Sequence, residues 1–162
     1  MELKEQILRT IDRNSKISMS ELAMMLGREE AEVTAAVAEM EADKIICGYP
    51  TLINWDKVSN EKITALIEVK VTPQRGQGFD NIAERIYNYP EVESVYLMAG
   101  GYDLMVILEG KTLKEVSGFV TEKLSALETV TGTATHFILK KYKDHGTILG
   151  KKKEDTREIV TP

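Results

Sequence analysis

The sequence predicts an α+β protein in two parts, and three observations carry that reading. Residues 1–50 hold three short runs with apolar residues at helical spacing, closing on a β-prone stretch. From Ile63 onward, alternating and helical periods succeed one another in the order βαββαβ. Between the two, residues 56–62 are polar and carry neither period. The first part reads as a winged helix-turn-helix and the second as a ferredoxin-like βαββαβ sandwich. The expected divisions are a helical unit over 1–50, a β-linker over 51–62, a sandwich over 63–146 and a mobile charged tail over 147–162.

In the first part, Leu3, Ile7, Leu8 and Ile11 recur at helical spacing, so residues 2–13 should form an amphipathic helix that Asn14-Ser15-Lys16 breaks. Ser18 or Ser20 can cap a second helix with Glu21 in its first turn. Leu22, Ala23 and Leu26 give its buried face, and Gly27 ends it. A third helix opens at Arg28-Glu29-Glu30, sets Val33, Val37 and Met40 on one stripe, and stops near Asp43. Ile45 to Tyr49 is β-prone and should form the wing, ending at Pro50. A short turn containing Gly joins the second and third helices, as a helix-turn-helix requires, and the third helix of such a module enters the DNA major groove. A small helical cap with no nucleic-acid role has the same pattern.

Charge bears on that choice. Residues 1–45 hold six basic side chains (Lys4, Arg9, Arg13, Lys16, Arg28, Lys44) against ten acidic ones, and the whole chain has a net charge of −5. DNA affinity rests largely on neutralising phosphates. The third helix carries Glu29, Glu30, Glu32, Glu39 and Glu41, with Arg28 at its start. Phosphate contacts would fall to Lys16, Arg28, Lys44 or the tail, and Thr34 and Ala35 would meet thymine methyl groups.

Thr51 to Trp55 reads as a strand leaving the wing, with Trp55 a packing residue at the junction. Ile63, Ala65, Ile67, Val69 and Val71 alternate as a strand, and residues 73–78 form a loop. Phe79, Ile82, Ala83 and Ile86 make a helix that ends before Pro90. Two apolar runs, Val92 to Ala99 and Tyr102 to Leu108, then meet at Gly100-Gly101, a joint expected to supply the positive φ of a tight hairpin turn. Leu113, Val116, Phe119, Val120, Leu124 and Leu127 make a second helix, and Val130 to Tyr142 a last long strand. Helices cover one face of such a sheet. Met98, Met105 and Ile107 make the other face apolar too, which predicts burial against a second copy of the chain.

Asp103 stands directly after the hairpin turn in otherwise apolar strand. Thr131, Thr133 and Thr135 share one face of the last strand, continuing with Phe137. Together these suit a zwitterion. Asp103 would pair with an α-ammonium, amides around Gly100 and Gly101 would hold an α-carboxylate, and Thr133 and Thr135 would complete the polar shell. A turn-capping role for Asp103, and plain β-propensity for the threonines, explain the same residues.

Composition excludes several classes. Hydrophobic content of 43% and charged content of 29% describe a soluble globular protein, and no apolar run approaches the roughly 20 residues needed to span a bilayer. The start Glu2-Leu3-Lys4-Glu5 is charged, unlike a signal peptide. The single Cys47 excludes an internal disulfide and points to a reducing cytoplasm, while two distant histidines, His136 and His145, offer no zinc spacing. The expectation is therefore no metal, no cofactor and no catalytic residue, since no nucleophile–base pair is visible. The tail run Lys151-Lys152-Lys153 reads as a solvated terminus.

Nearly the whole chain resembles the Lrp/AsnC family, the feast/famine transcriptional regulators. Glu21-Leu22-Ala23 with Leu26-Gly27 resembles the family's second-helix motif. Val33, Val37, Met40-Glu41 and Ile45 with Gly48-Tyr49 resemble its third helix and wing. Gly101-Tyr102-Asp103 resembles its Gly-x-Asp turn, and Thr133-x-Thr135 its last strand. The resemblance implies a dimer that binds double-stranded DNA, associates further into tetramers or octamers, and takes an amino-acid effector in its second domain, with Gly100, Gly101, Tyr102, Asp103, Thr133 and Thr135 as site residues. Ala36 and Glu39 stand where the family usually carries Arg around the third-helix Val. The expected function is therefore an amino-acid-responsive transcriptional regulator. The alternatives are a sensor or interaction protein of the same fold with lost DNA binding, and, since fold does not fix function, an enzyme like the tetrapyrrole decarboxylases that share this two-domain plan.

Overall fold

The computed structural model describes residues 2–58, 62–72 and 78–150. The chain falls into two compact units, Met1–Thr51 and Leu52–Pro162.

The first unit contains α1 (Leu3–Arg13), α2 (Met19–Leu26) and α3 (Glu30–Ala42). Ile7 and Ile11, Leu22 and Ala23, and Val33, Val37 and Met40 come from the three helices in turn and form one buried cluster with Ile46. Ser18 and Glu21 cap α2 reciprocally, and Gly27 closes it at φ 63°, a left-handed conformation that costs a glycine little. After α3, Lys44 takes φ 58°, and the N–H groups of Ile45 and Ile46 both donate to the Met40 carbonyl at 2.9 and 3.0 Å. This tight reversal buries Ile46 against the helices. It also accounts for a correction: residues 45–49 form no strand, so the three-helix unit has no β-wing among the described residues. Residues 51–55 form no strand either, and Trp55–Lys57 is a single 3-10 turn. A strand is defined by its ladder, and neither segment has a partner among the described residues to build one. Trp55 is about one-third exposed and lies under the Lys62 ammonium, 4.9 Å from the ring centroid.

The second unit is a four-stranded antiparallel sheet in the order β2-β3-β1-β4, with β1 (Ile63–Val71), β2 (Val92–Leu97), β3 (Leu104–Gly110) and β4 (Val130–Phe137). With α4 (Asp80–Tyr87) and α5 (Leu113–Phe119), which runs on through a wide π turn at Val120–Leu124, the order is βαββαβ. Ala65, Ile67 and Val69 of β1 and Leu104, Val106 and Leu108 of β3 are buried with Ile82, Ile86, Val116, Phe119 and Leu124 from the helices. Alternation puts Leu66, Glu68, Met105, Ile107 and Tyr96 on the opposite face, which the sequence reading made apolar. That face is mixed. Glu68 Oε1 lies 3.2 Å from His136 Nε2 in its middle, beside the half-buried Leu66, Met105 and Ile107.

Two further expectations change at the end of the chain. The last strand stops at Phe137 instead of Tyr142. Beyond it, β5 (Lys143–Asp144) pairs with β6 (Thr147–Ile148) around His145 and Gly146, both at positive φ (42° and 78°), as a two-residue type I′ turn needs. The Leu149 N–H donates to the Tyr142 carbonyl (3.0 Å), and the Leu149 carbonyl accepts from Asn54 Nδ2 (3.1 Å). Residues 147–150 therefore belong to the folded unit and not to a tail; the rest of the expected tail, 151–162, lies outside the described residues, as do positions 73–77 of the expected loop.

Candidate functional site

The β2–β3 ladder ends at Leu97 opposite Leu104, so the connection is the six-residue loop Met98–Asp103 and not a two-residue turn on Gly100-Gly101. Neither glycine takes positive φ. Asp103 explains the longer loop, because it is bonded to β1. Its N–H donates to the Val69 carbonyl at 3.1 Å, and its Oδ2 accepts from the Val71 N–H at 2.9 Å. Its own carbonyl accepts from the Met98 N–H at 2.8 Å, which closes the loop. Of the two roles open to Asp103 in the sequence, the capping role is the one these bonds describe. Tyr102 is half-buried, with its hydroxyl 3.9 Å from Met105 Sδ. The N–H groups of Ala99, Gly100, Gly101 and Tyr102 have no protein acceptor among the described residues, and the first three of these residues are exposed.

Thr133 pairs with Val69 and Thr135 with Ile67, so both hydroxyls belong to the helix-covered face, where the two residues are half-buried at the sheet's edge. Thr131 does not join them. A bulge at Lys70/Val71 shifts the register there, and Thr131 Oγ1 instead donates to the Lys70 carbonyl at 3.2 Å. Leu104 and Thr133 both face Val69 from opposite sides. The loop and the threonines thus share one end of the sheet, separated by two strand spacings, or roughly 10 Å. They flank a common strand and are not in contact.

A cavity of about 520 Å³ lies at the other end of β3, lined among others by Glu91, Leu108, Val116, Phe119 and Lys123. There the Lys123 ammonium pairs with Glu91 and stands 5.1 and 5.3 Å from the Tyr89 and Phe119 ring centroids. Bonding to Lys123 holds the Glu91 carboxyl below its usual range. The sequence reading missed this cluster, whose members come from separate segments with no shared motif.

In the first unit, Lys16, Arg28, Thr34, Ala35 and Lys44 are all exposed. Part of the basic charge of this unit is already paired with carboxylates. Arg28 Nη1 lies 3.8 Å from Glu32 Oε1, Arg9 is bonded to Glu5 at 2.7 Å, and Lys4 to Glu39 at 2.8 Å. The Glu39 hydrogen bond raises the Lys4 pKa. Arg13, Lys16 and Lys44 form no ion pair among the described residues. No helix among the described residues is long and apolar enough to cross a membrane, and no described group of three His, Cys, Asp or Glu is placed to hold a metal ion.

Residues 64–148 match the family described as the Lrp/AsnC ligand binding domain. The uncharacterized HTH-type transcriptional regulator YugG of Bacillus subtilis is 46% identical over 162 residues, covering 99% of this chain and 98% of its own. The proline dehydrogenase transcriptional activator of Rhodobacter capsulatus is 28% identical, over 81% of this chain and 84% of its own. Among solved structures, a Neisseria meningitidis transcriptional regulator in complex with L-Met superposes with a TM-score of 0.70 at 20% identity, covering 89% of this chain and 92% of its own. Escherichia coli AsnC gives 0.67 at 17% identity, over 91% and 97%. At such identities the two structures show a shared fold.

Proposed function

The chain belongs to the Lrp/AsnC family of transcriptional regulators, and from that premise we propose that it binds double-stranded DNA through residues 1–50 and answers to a free amino acid bound by residues 63–146. The observation that carries this reading is the 46% identity to an HTH-type transcriptional regulator, which runs through both units. The N. meningitidis neighbour, of the same fold, is a complex with L-Met. In this chain the amino acid's carboxylate would lie on the amides of Gly100, Gly101 and Tyr102, with Asp103 anchoring that loop and Thr133 and Thr135 supplying hydroxyls. Lys16, Arg28 and Lys44 would meet phosphates, and Thr34 and Ala35 the groove. The half-buried Leu66, Met105 and Ile107 of the open sheet face support a homodimer; further association into tetramers or octamers and a cytoplasmic setting belong to the same proposed reading.

A second reading keeps the sensor and weakens the DNA contact. It is favoured by Glu32 beside Arg28 and by the acidic run of α3. A DNA-binding titration against salt separates the two. A regulator binds its own upstream region more tightly than random DNA, with a slope set by its phosphate contacts. Equal, weak binding to both at low salt eliminates the regulator and leaves the sensor. Thermal shifts with single amino acids test the effector, since a ligand of the folded state raises the melting temperature by mass action.

A further inference from the structure

We propose that the cavity between the end of β3 and α5 is a second small-molecule site, which takes an organic primary ammonium carrying a short apolar body, with Glu91 as its acceptor. It stands apart from the loop at Asp103 and from the threonines of β4, and it does not rest on the reading of either. Its volume of about 520 Å³ is of the size that holds a small ligand. Leu108, Val116 and Phe119, all members of the buried core, form its floor.

Three features of its walls are left over by the fold itself. The first is an acceptor. Glu91 Oε1 is taken by the Lys123 ammonium. Glu91 Oε2 is closed off from solvent and has no hydrogen-bond partner among the described residues, although the side chain as a whole is 39% exposed. An orphaned oxygen of this kind is costly, and an N–H donor relieves it. The second is Gly118, which lies in α5 where the helix runs on into the π turn at Val120–Leu124, although glycine is a poor residue for a helix interior. Close packing does not call for it. A Cβ at Gly118 would meet nothing within 4 Å, whereas one at Gly110, which also lines the cavity, would meet Val116 Cγ2 at 3.0 Å. What Gly118 does is leave the cavity open. The third is the π turn, which brings Glu122 and Lys123 to the cavity; such turns are rare and recur at functional sites.

Charge selects the ligand. Glu91, Glu109, Glu115 and Glu122 line the cavity against Lys114 and Lys123. Even with Glu109 paired to Lys62, three carboxylates stand against two ammonium groups. Bonding to Lys123 keeps the Glu91 carboxyl below its usual range, and so ionised at neutral pH. A ligand carboxylate, and with it a zwitterionic amino acid, would meet this surplus unfavourably; an amine without a carboxylate would not. The same corner already holds one ammonium, since Lys123 Nζ stands 5.1 and 5.3 Å from the Tyr89 and Phe119 ring centroids, and aromatic faces favour a cation. An incoming ammonium would take Oε2 while Lys123 keeps Oε1.

Isothermal titration of the full-length protein with benzylamine, benzyl alcohol and benzoate compares a cation, a neutral molecule and an anion of similar shape. Benzylamine should bind saturably at one per chain, and the other two should not. Glu91→Gln keeps an acceptor oxygen, loses the charge and gives up only a partly exposed ion pair, so it should fold and weaken benzylamine at least about tenfold. Gly118→Leu should fill the cavity and abolish binding, with a melting temperature no lower than that of the wild type. If that variant melts early instead, Glu91→Gln decides alone. No saturable binding of benzylamine to the wild type would overturn the proposal. So would benzyl alcohol or benzoate binding as well as the amine, or undiminished benzylamine binding in Glu91→Gln or in a folded Gly118→Leu.

Discussion

The Tyr49 hydroxyl donates to Glu41 Oε1 at 2.7 Å and ties the segment after α3 back onto that helix. Both residues are exposed, so the bond should contribute well under about 1 kcal/mol, and Tyr49→Phe should lower the urea midpoint only slightly. Its clearer signature is at high pH. The Glu41 hydrogen bond, then burial, raises the phenol above its ordinary value of 10.0. The bond's contribution is therefore complete below that value and is lost as pH rises through the higher folded one. Ultraviolet titration of wild type and Tyr49→Phe should show one late-titrating phenol missing from the variant.

Ser18→Ala removes the hydroxyl half of the α2 capping box, leaving the backbone N–H of residue 18 to Glu21, and should cost about 1 kcal/mol in denaturant unfolding. The Ser18 backbone N–H, and then its hydroxyl, hold the Glu21 carboxyl below its ordinary 4.5. Because the folded value is the lower one, the contribution is complete above 4.5 and is lost as pH falls through the folded value. Acid titration followed by circular dichroism should therefore show a smaller loss of stability in Ser18→Ala than in the wild type.

Ile67 lies fully buried at the centre of β1, between Val106 and Thr135. Ile67→Ala should destabilise the second unit by about 2–5 kcal/mol, through lost burial and the cavity left behind. Equilibrium urea unfolding measures it. A change below about 1 kcal/mol would mean that the sheet closes around the missing atoms.

These cases show which parts of the molecule can be read from the chain alone. Ile67 belongs to an alternation of Ile63, Ala65, Ile67, Val69 and Val71 that only a strand with one buried face explains, and β1 occupies that stretch. Ser18 and Glu21 at three-residue spacing announce the start of α2 in the same local way. The misreadings come from segments whose conformation depends on distant partners. Gly100-Gly101 looks like a tight turn until Asp103 is seen bonded to Val71, thirty-two positions away in the chain. Ile45 to Tyr49 has β-prone residues but no second strand, and the reversal at Lys44 spends Ile46 on the helical core. Thr131 falls out of the threonine row because of a bulge that no alternation pattern announces. In the candidate site, then, the residue types were legible, but the spacing between the loop and the threonines was not.

Lys16 is exposed and forms no ion pair among the described residues, so its charge is available to an anion. If it meets a phosphate, Lys16→Ala should reduce the slope of log K against log salt by about 0.9 and weaken binding to all sequences alike. Glu32→Gln should act in the opposite direction by releasing Arg28. Fluorescence anisotropy over a salt series measures both. Unchanged slopes in both variants would remove this end of the helical unit from the DNA contact.

Thr133 and Thr135 allow a test of the effector site that spares the fold. Valine keeps the β-branched shape that suits β4 and deletes only the hydroxyl, so neither Thr133→Val nor Thr135→Val should reduce the melting temperature of the ligand-free protein. Both residues are half-buried on the helix-covered face, where a lost hydroxyl leaves no buried partner orphaned, since neither makes a side-chain hydrogen bond among the described residues. If the hydroxyls complete the amino acid's polar shell, each variant should lose most of the amino-acid-induced thermal shift, with Thr133→Val the more severe because Thr133 shares Val69 with the Asp103 end of β3. Thr131→Val is the internal control. Its hydroxyl is turned to the Lys70 carbonyl, so the shift should survive its removal. A shift unchanged in both Thr133→Val and Thr135→Val would confine the site to the loop, and a shift lost in Thr131→Val alone would place it around the bulge.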